Sequence, residues 1–140
     1  MSFKVQKLRD DAFIPTRAHP SDAGLDLVTP DAFTLLSNSF QVIKLGIAIE
    51  IPEGYEAQVR PRSGLAAKHG ITVLNSPGTI DSSYRGEVGV ILINHGDDIA
   101  FERGKAIAQL VLAKVELSAF VEVDALNNTE RGVGGFGSTG

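Results

Sequence analysis

Cysteine is absent from this 140-residue chain, which excludes disulfides and thiolate metal sites. No apolar stretch approaches the roughly eighteen residues of a membrane-spanning helix, so no membrane partner is expected. Lys and Arg number 13 against 17 Asp and Glu, a net charge of -4. That balance argues against a nucleic-acid binder, which needs clustered cations. Any phosphate site must be built locally, from a few placed cations and backbone N–H groups. His19, His69 and His95 form no pair with metal-ligand spacing and read as surface residues. Neither a GxxxxGK(S/T) loop nor a GxSxG elbow occurs, which disfavours a Walker-type ATPase and an α/β-hydrolase. Residues Met1–Val5 show no apolar run behind a basic head, so no targeting segment and a cytoplasmic location are expected.

What is present is a chain with 43% apolar and 21% charged residues, the composition of one ordinary globular domain. Its apolar segments are short and break at Gly, Pro, Asn or Asp. Ile47, Ile49 and Ile51 recur at period two and predict a strand. Pro52–Gly54 turns the chain into a second strand over Tyr55–Arg60. Glu87–Ile93 and Ala106–Leu112 are β-branched or apolar runs that suit strands buried on both faces. His95–Asp98 and Glu102–Lys105 read as turns. Many short strands at this spacing predict an all-β sandwich or barrel. One short helix is expected, with Ser63 as N-cap, Leu65–Lys68 as its body and Gly70 just past its end. Lys68 and His69 then fall where the helix dipole favours cations.

Four stretches are costly for a purely structural protein. Asp26 lies between Leu25 and Leu27, so on a strand its carboxylate points away from the core; alone, it reads equally as an exposed strand residue. Arg62 and Ser63 stand at a helix start, where free N–H groups attract anions and an Arg adds a bidentate fork, although Ser63 also fits as a simple cap. Asn75–Gly89 reads as a hairpin with its tip at Tyr84–Gly86. Pro77, Gly78 and Gly89 free the backbone to meet a planar base. Asp81 at its mouth fits a general base, or a carboxylate capping the turn. Gln109 is the one polar residue in Ala106–Leu112, and at a sheet edge it could reach a ligand. The glycine-rich end, 127–140, cannot bury enough surface to order itself, yet it carries one Arg and one Phe, Arg131 and Phe136.

In this order, five segments resemble the motifs of the trimeric dUTPase family: Ala23–Leu27, Pro61–Leu65, Gly78–Glu87, Arg103–Gln109 and Arg131–Gly140. The match spans nearly the whole chain, and five motifs at family-like spacing are specific where one alone is weak. The resemblance implies a jelly-roll-like β-barrel over 1–126 and a C-terminal arm over 127–140 that closes over a neighbour's site in a homotrimer. It also implies hydrolysis of dUTP to dUMP and pyrophosphate with Mg²⁺, keeping uracil out of DNA and supplying dUMP for dTMP synthesis.

Carried over by residue, Asp81 resembles the base that activates water for attack on the α-phosphorus. Tyr84 would stack beneath the deoxyribose, while Asn75 and the backbone of Thr79, Ile80 and Gly89 would read the uracil edge. Arg62, Ser63, Gly64 and Gln109 resemble phosphate contacts. Arg131 would hold the γ-phosphate, Phe136 would cover the uracil, and Gly137, Ser138 and Thr139 would add phosphate contacts. Asp26 would act on the metal through water. Ser83 departs from the family, many of whose members carry an acid there, and is expected to face solvent. The related dCTP deaminases need a Glu three residues before a closing Asn; here the Asn is Asn94 and that position is Ile91, so the deaminating acid is missing. A dUTP-binding regulator without turnover is the other alternative.

Overall fold

A computed structural model describes all 140 residues. Eleven strands and one helix follow in the order β1 (Lys4–Lys7), β2 (Gly24–Val28), β3 (Phe33–Leu35), β4 (Ser39–Lys44), β5 (Ile47–Glu50), β6 (Tyr55–Arg60), α1 (Ser63–His69), β7 (Ile71–Val73), β8 (Gly78–Ile80), β9 (Gly89–Asn94), β10 (Ile99–Phe101) and β11 (Ala106–Lys114). They form a four-stranded sheet β2-β11-β6-β8, a three-stranded sheet β4-β9-β7 and the ribbons β1-β5 and β10-β3. Every paired ladder is antiparallel. The expected all-β fold with one short helix is therefore what the chain adopts. No helix is long and apolar enough to cross a membrane.

One apolar core joins the sheets. Leu27, Val59, Ile80 and Leu110 enter it from the four-stranded sheet, and Ile43, Val73, Val90 and Leu92 from the three-stranded one. Ile47, Ile49 and Ile51 are all buried, as their period-two spacing predicts. β9 alternates instead of being buried on both faces: Val90, Leu92 and Asn94 point inward, while Gly89, Ile91 and Ile93 are only half-covered. A long apolar run marks a strand but does not say whether a second layer covers its far side. Asn94 tolerates full burial because its amide donates to Leu35 O at 3.0 Å and Asp97 O at 2.8 Å and accepts from Gly96 N–H at 2.9 Å.

Two local expectations shift. The helix N-cap is Arg62, in extended backbone, and Ser63 is the first helical residue with no side-chain cap bond. Gly70 ends the helix at φ 66, a left-handed position that disfavours a Cβ. Asn75–Gly89 is not a paired hairpin: β8 pairs with β6 and β9 with β4 and β7, so this segment crosses between sheets. β11 stops at Lys114, Val115 N–H donates to Gly54 O at 3.0 Å, and no further strand forms. The apolar side chains of Leu117, Phe120, Val121, Val123 and Leu126 are exposed, having nothing in their own chain to pack against.

Candidate active site

The sheet register gathers one set of polar side chains. Asp26 on β2 pairs with Gln109 on β11, which pairs with Arg60 on β6, so the three share a row and a face. Gln109 therefore lies on an inner strand, not at a sheet edge. Its amide donates to Pro61 O at 2.9 Å. Gly24 is required beneath it, because a Cβ there would overlap the Gln109 amide oxygen. A β-bulge between Ala106 and Ala108 lies where Arg62 enters, and the Arg62 guanidinium donates to Ala106 O at 3.1 Å.

These residues line a cleft of about 710 Å³ that holds Asp26, Arg62, Ser63, Gly64 and Gln109 together. The volume lies within the roughly 300–1,000 Å³ of small-molecule sites. Lys68 and His69 border the same cleft. Their place in the last turn of α1 predicts surface cations that complement the helix dipole, and the fold brings them to the cleft as well. The signal was available, since Lys68 follows Gly64 by one helical turn and shares its face. First-turn N–H groups of a helix lack intrahelical acceptors, which adds donors to those cations.

A second, smaller cleft of about 200 Å³ is lined by Thr79, Ile80, Asp81, Tyr84, Glu87, Val88 and Gly89. Its Tyr84 N–H donates to Asp81 O at 3.1 Å, and its hydroxyl to Glu87 O at 2.9 Å. Asp81 and Tyr84 are exposed, as is Ser83, in line with its expected solvent position. Asn75 lies outside this cleft, with its amide nitrogen 3.3 Å from where a Cβ on Gly78 would sit. Glu87 and Val88 are the cleft residues to which the sequence reading gives no role.

The two clefts share no lining residue. Ile80 pairs with Ala57, which pairs with Leu112, three residues along β11 from Gln109. That is about 10 Å along the ladder and about 10 Å across two strand spacings. The tail joins neither cleft: every hydrogen bond made by residues 116–140 stays inside that segment, such as Arg131 Nε to Gly134 O at 2.8 Å. Phe136, Gly137, Ser138 and Thr139 are exposed. His19, His69 and His95 are exposed as well.

No group of three or more His, Asp or Glu side chains gathers anywhere. The donor set in the larger cleft is carboxylate-poor, with Asp22 and Asp26 beside cationic and amide groups. That chemistry fits Mg²⁺, which keeps several waters and binds through substrate phosphates and one or two carboxylates. Ile91 takes the half-covered face of β9 two residues beyond Gly89, and places no carboxylate there.

Fold and clefts together define an all-β protein whose polar side chains line two clefts with no residue in common. The particular family follows from comparison. A family model described as dUTPase matches residues 10–140. A deoxyuridine 5'-triphosphate nucleotidohydrolase from Crocosphaera subtropica is 53% identical, covering 100% of this chain and 99% of the relative. One of the same name from Hydrogenobaculum sp. is 54% identical, covering 100% and 99%. Among solved structures, a point mutant of Staphylococcus bacteriophage 80alpha dUTPase with dUpNHpp aligns at a TM-score of 0.93 and 27% identity, over 99% of this chain and 98% of that one. The chain belongs to the dUTPase family.

Proposed function

We propose that this chain hydrolyses dUTP to dUMP and pyrophosphate as a homotrimer, in sites shared between subunits. The observation that carries the reading is the split itself. A cation-bearing cleft and a carboxylate-and-tyrosine cleft lie on one chain without a common residue, which supports a site whose complementary half comes from a neighbouring copy. The exposed apolar residues of β4 and of the segment beyond β11, among them Phe40, Val42, Leu117 and Val123, are surfaces that such an assembly would cover.

In this reading the larger cleft takes the phosphates. Arg62, Ser63, Gly64 and Gln109 hold their oxygens, with the Arg62 fork already steered by Ala106 O. Asp26 would hold Mg²⁺ through water, and the ion when bound neutralises charge on the polyphosphate. From a neighbouring copy, Asp81 orients a water and accepts its proton as the water oxygen bonds to the α-phosphorus. The α–β bridging bond breaks and pyrophosphate leaves. Tyr84 lies beneath the deoxyribose and leaves no room for a ribose 2′-hydroxyl, and Asn75 with the backbone of Thr79, Ile80 and Gly89 reads the uracil edge. A slot of fixed donors and acceptors can reject cytosine by roughly four to five orders of magnitude.

Residues 127–140 act as the arm: Arg131 on the γ-phosphate, Phe136 over the base, and Gly137, Ser138 and Thr139 on phosphate oxygens. Their hydrogen bonds within the segment are local turns that can exchange for ligand contacts. The proposed biological effect is removal of dUTP, which keeps uracil out of DNA, and supply of dUMP for dTMP synthesis.

Pyrophosphate release with Mg²⁺ from dUTP, dCTP, dTTP and UTP, run beside Asp81→Ala, tests the proposal. Release from dUTP alone is expected, with the variant down by about 10²–10⁴-fold. Ammonia release from dCTP, or tight dUTP binding without turnover, would sink it.

A further inference from the structure

Residues 81–88 link β8 to β9 without a strand of their own. Their upstream end is fixed by the ladder of β8 on β6. Three hydrogen bonds stitch the downstream end to the β4–β5 turn. Val88 N–H donates to Ile47 O at 2.8 Å, Leu45 N–H to Val88 O at 3.0 Å, and Gly46 N–H to the Glu87 carboxylate at 2.8 Å. The last is the side-chain bond of the three, and a carboxylate acceptor makes it charge-assisted. Gly46 is held from its other side too. Its φ is +71, and the Arg9 side chain lies 2.7 Å from where a Cβ would be.

The same stretch fixes Tyr84. The tyrosine hydroxyl donates to Glu87 O, and its ring lies against Gly86, where any Cβ would overlap it. The position of the Glu87 backbone therefore sets the position of the phenol. Removing the carboxylate leaves the Gly46 N–H without its acceptor, and the carbonyl that holds Tyr84 is then fixed only through the Val88 backbone bonds to Ile47 and Leu45.

We propose that Glu87 is a positioning residue whose carboxylate, bonded to Gly46 N–H, holds Tyr84 where it discriminates deoxyribose from ribose. The sugar assignment rests on the function proposed above; the anchoring itself does not. Glu87→Ala, Glu87→Gln and Gly86→Ala test it in the full chain, compared by kcat/KM for dUTP and for UTP. Glu87→Ala is expected to lower the dUTP value by about 10–100-fold, because small misplacements at a site carry costs of that order. It is also expected to shrink the dUTP preference over UTP by at least about tenfold. Glu87→Gln keeps an acceptor oxygen and restores both values to within about threefold. Gly86→Ala pushes the ring aside directly and shrinks the preference in the same way.

Hydrogen exchange gives a readout independent of activity. The Gly46 amide and the 81–88 amides should exchange faster in Glu87→Ala than in wild type or Glu87→Gln. Wild type without dUTP turnover would remove the sugar role, leaving the exchange result to decide the anchor. A folded Glu87→Ala protein with wild-type exchange and wild-type dUTP/UTP preference would overturn the proposal, as would Glu87→Gln behaving like the alanine variant.

Discussion

The two clefts are built by different means. In the larger one, Asp26 and Gln109 face each other across a sheet ladder, and Gln109 and Arg62 are each fixed by a backbone carbonyl, of Pro61 and Ala106. In the smaller one, Asp81 and Tyr84 occupy a crossing between sheets, held by a turn bond, a phenol–carbonyl bond and a side-chain anchor. Ladder residues inherit the stiffness of their neighbours, whereas a connection depends on a few contacts. The larger cleft is thus formed before any ligand arrives, and the smaller one can be retuned by a single substitution. This division suits a site in which one half binds charge and the other reads shape.

The comparison breaks most sharply if the halves are separated onto different molecules. Arg62→Ala disables the larger cleft and Asp81→Ala the smaller, and each variant alone should be nearly inactive. Co-expressed, they should regain roughly a quarter of wild-type activity, since a random mixture of subunits pairs two intact halves at that frequency in a symmetric shared site. Pyrophosphate release by the mixture, set against the sum of the two parents, measures it. Activity no greater than that sum would mean that each chain completes its own site, and the split would be a false lead.

The larger cleft was also the more legible half in the sequence. β6 falls on Tyr55–Arg60 residue for residue as predicted, and Gly70 closes the helix as its sequence position implies. The turns at 95–98 and 102–105 separate β9, β10 and β11 as expected. Period and turn chemistry are local signals, so they mark where strands begin and end. Partner choice is not local. Asn75–Gly89 looks like a hairpin because two apolar runs flank a turn, yet its strands join different sheets. Gln109 stands out as a polar residue in an apolar run, but its place on an inner strand depends on the distant pairings of β11 with β2 and β6, through Asp26 and Arg60. Glu87 is legible only as the last residue of the third motif, since its hydrogen bond reaches Gly46, 41 residues earlier. The bound of the barrel at 126 comes from the family resemblance and not from a local signal, and the apolar residues between 117 and 126 are exposed in one chain.

A smaller perturbation sharpens the contrast from the side of the sheet. Gly24→Ala adds a Cβ where the Gln109 amide oxygen lies, and Gln109 is pinned by its strand and by Pro61 O. The overlap must be relieved by moving Gln109 or by loosening the β2–β11 ladder. The expected cost is about 1–3 kcal/mol, the range for overpacked sites, visible as a lowered thermal midpoint. Activity should fall through weaker phosphate binding, raising KM, while the dUTP preference over UTP stays unchanged. A shift in that preference would show that the two clefts are mechanically coupled.

The smallest effect is expected on acidification, and it falls on the side of the smaller cleft. Arg9 packs over Gly46, the glycine that anchors Glu87, and donates to Asp31 at 2.7 Å and to Asp11 at 2.6 Å. Hydrogen bonds from Arg9 hold both carboxyl groups below their usual range, and nearby Arg103 lowers them further. For a carboxylate whose folded pKa is depressed, the stabilisation is present above the unfolded value, about 4, and is lost as pH falls through the folded value. Asp11 and Asp31 are exposed and Arg9 is half-buried, so water and salt screen the effect and it should be small. Asp31→Asn removes one partner. Its thermal midpoint should lie slightly below wild type at neutral pH, and the gap should close as pH drops below about 4. Added salt should narrow the gap in the same direction. A gap that persists unchanged into acid would mean that Asp31 contributes through packing and not charge.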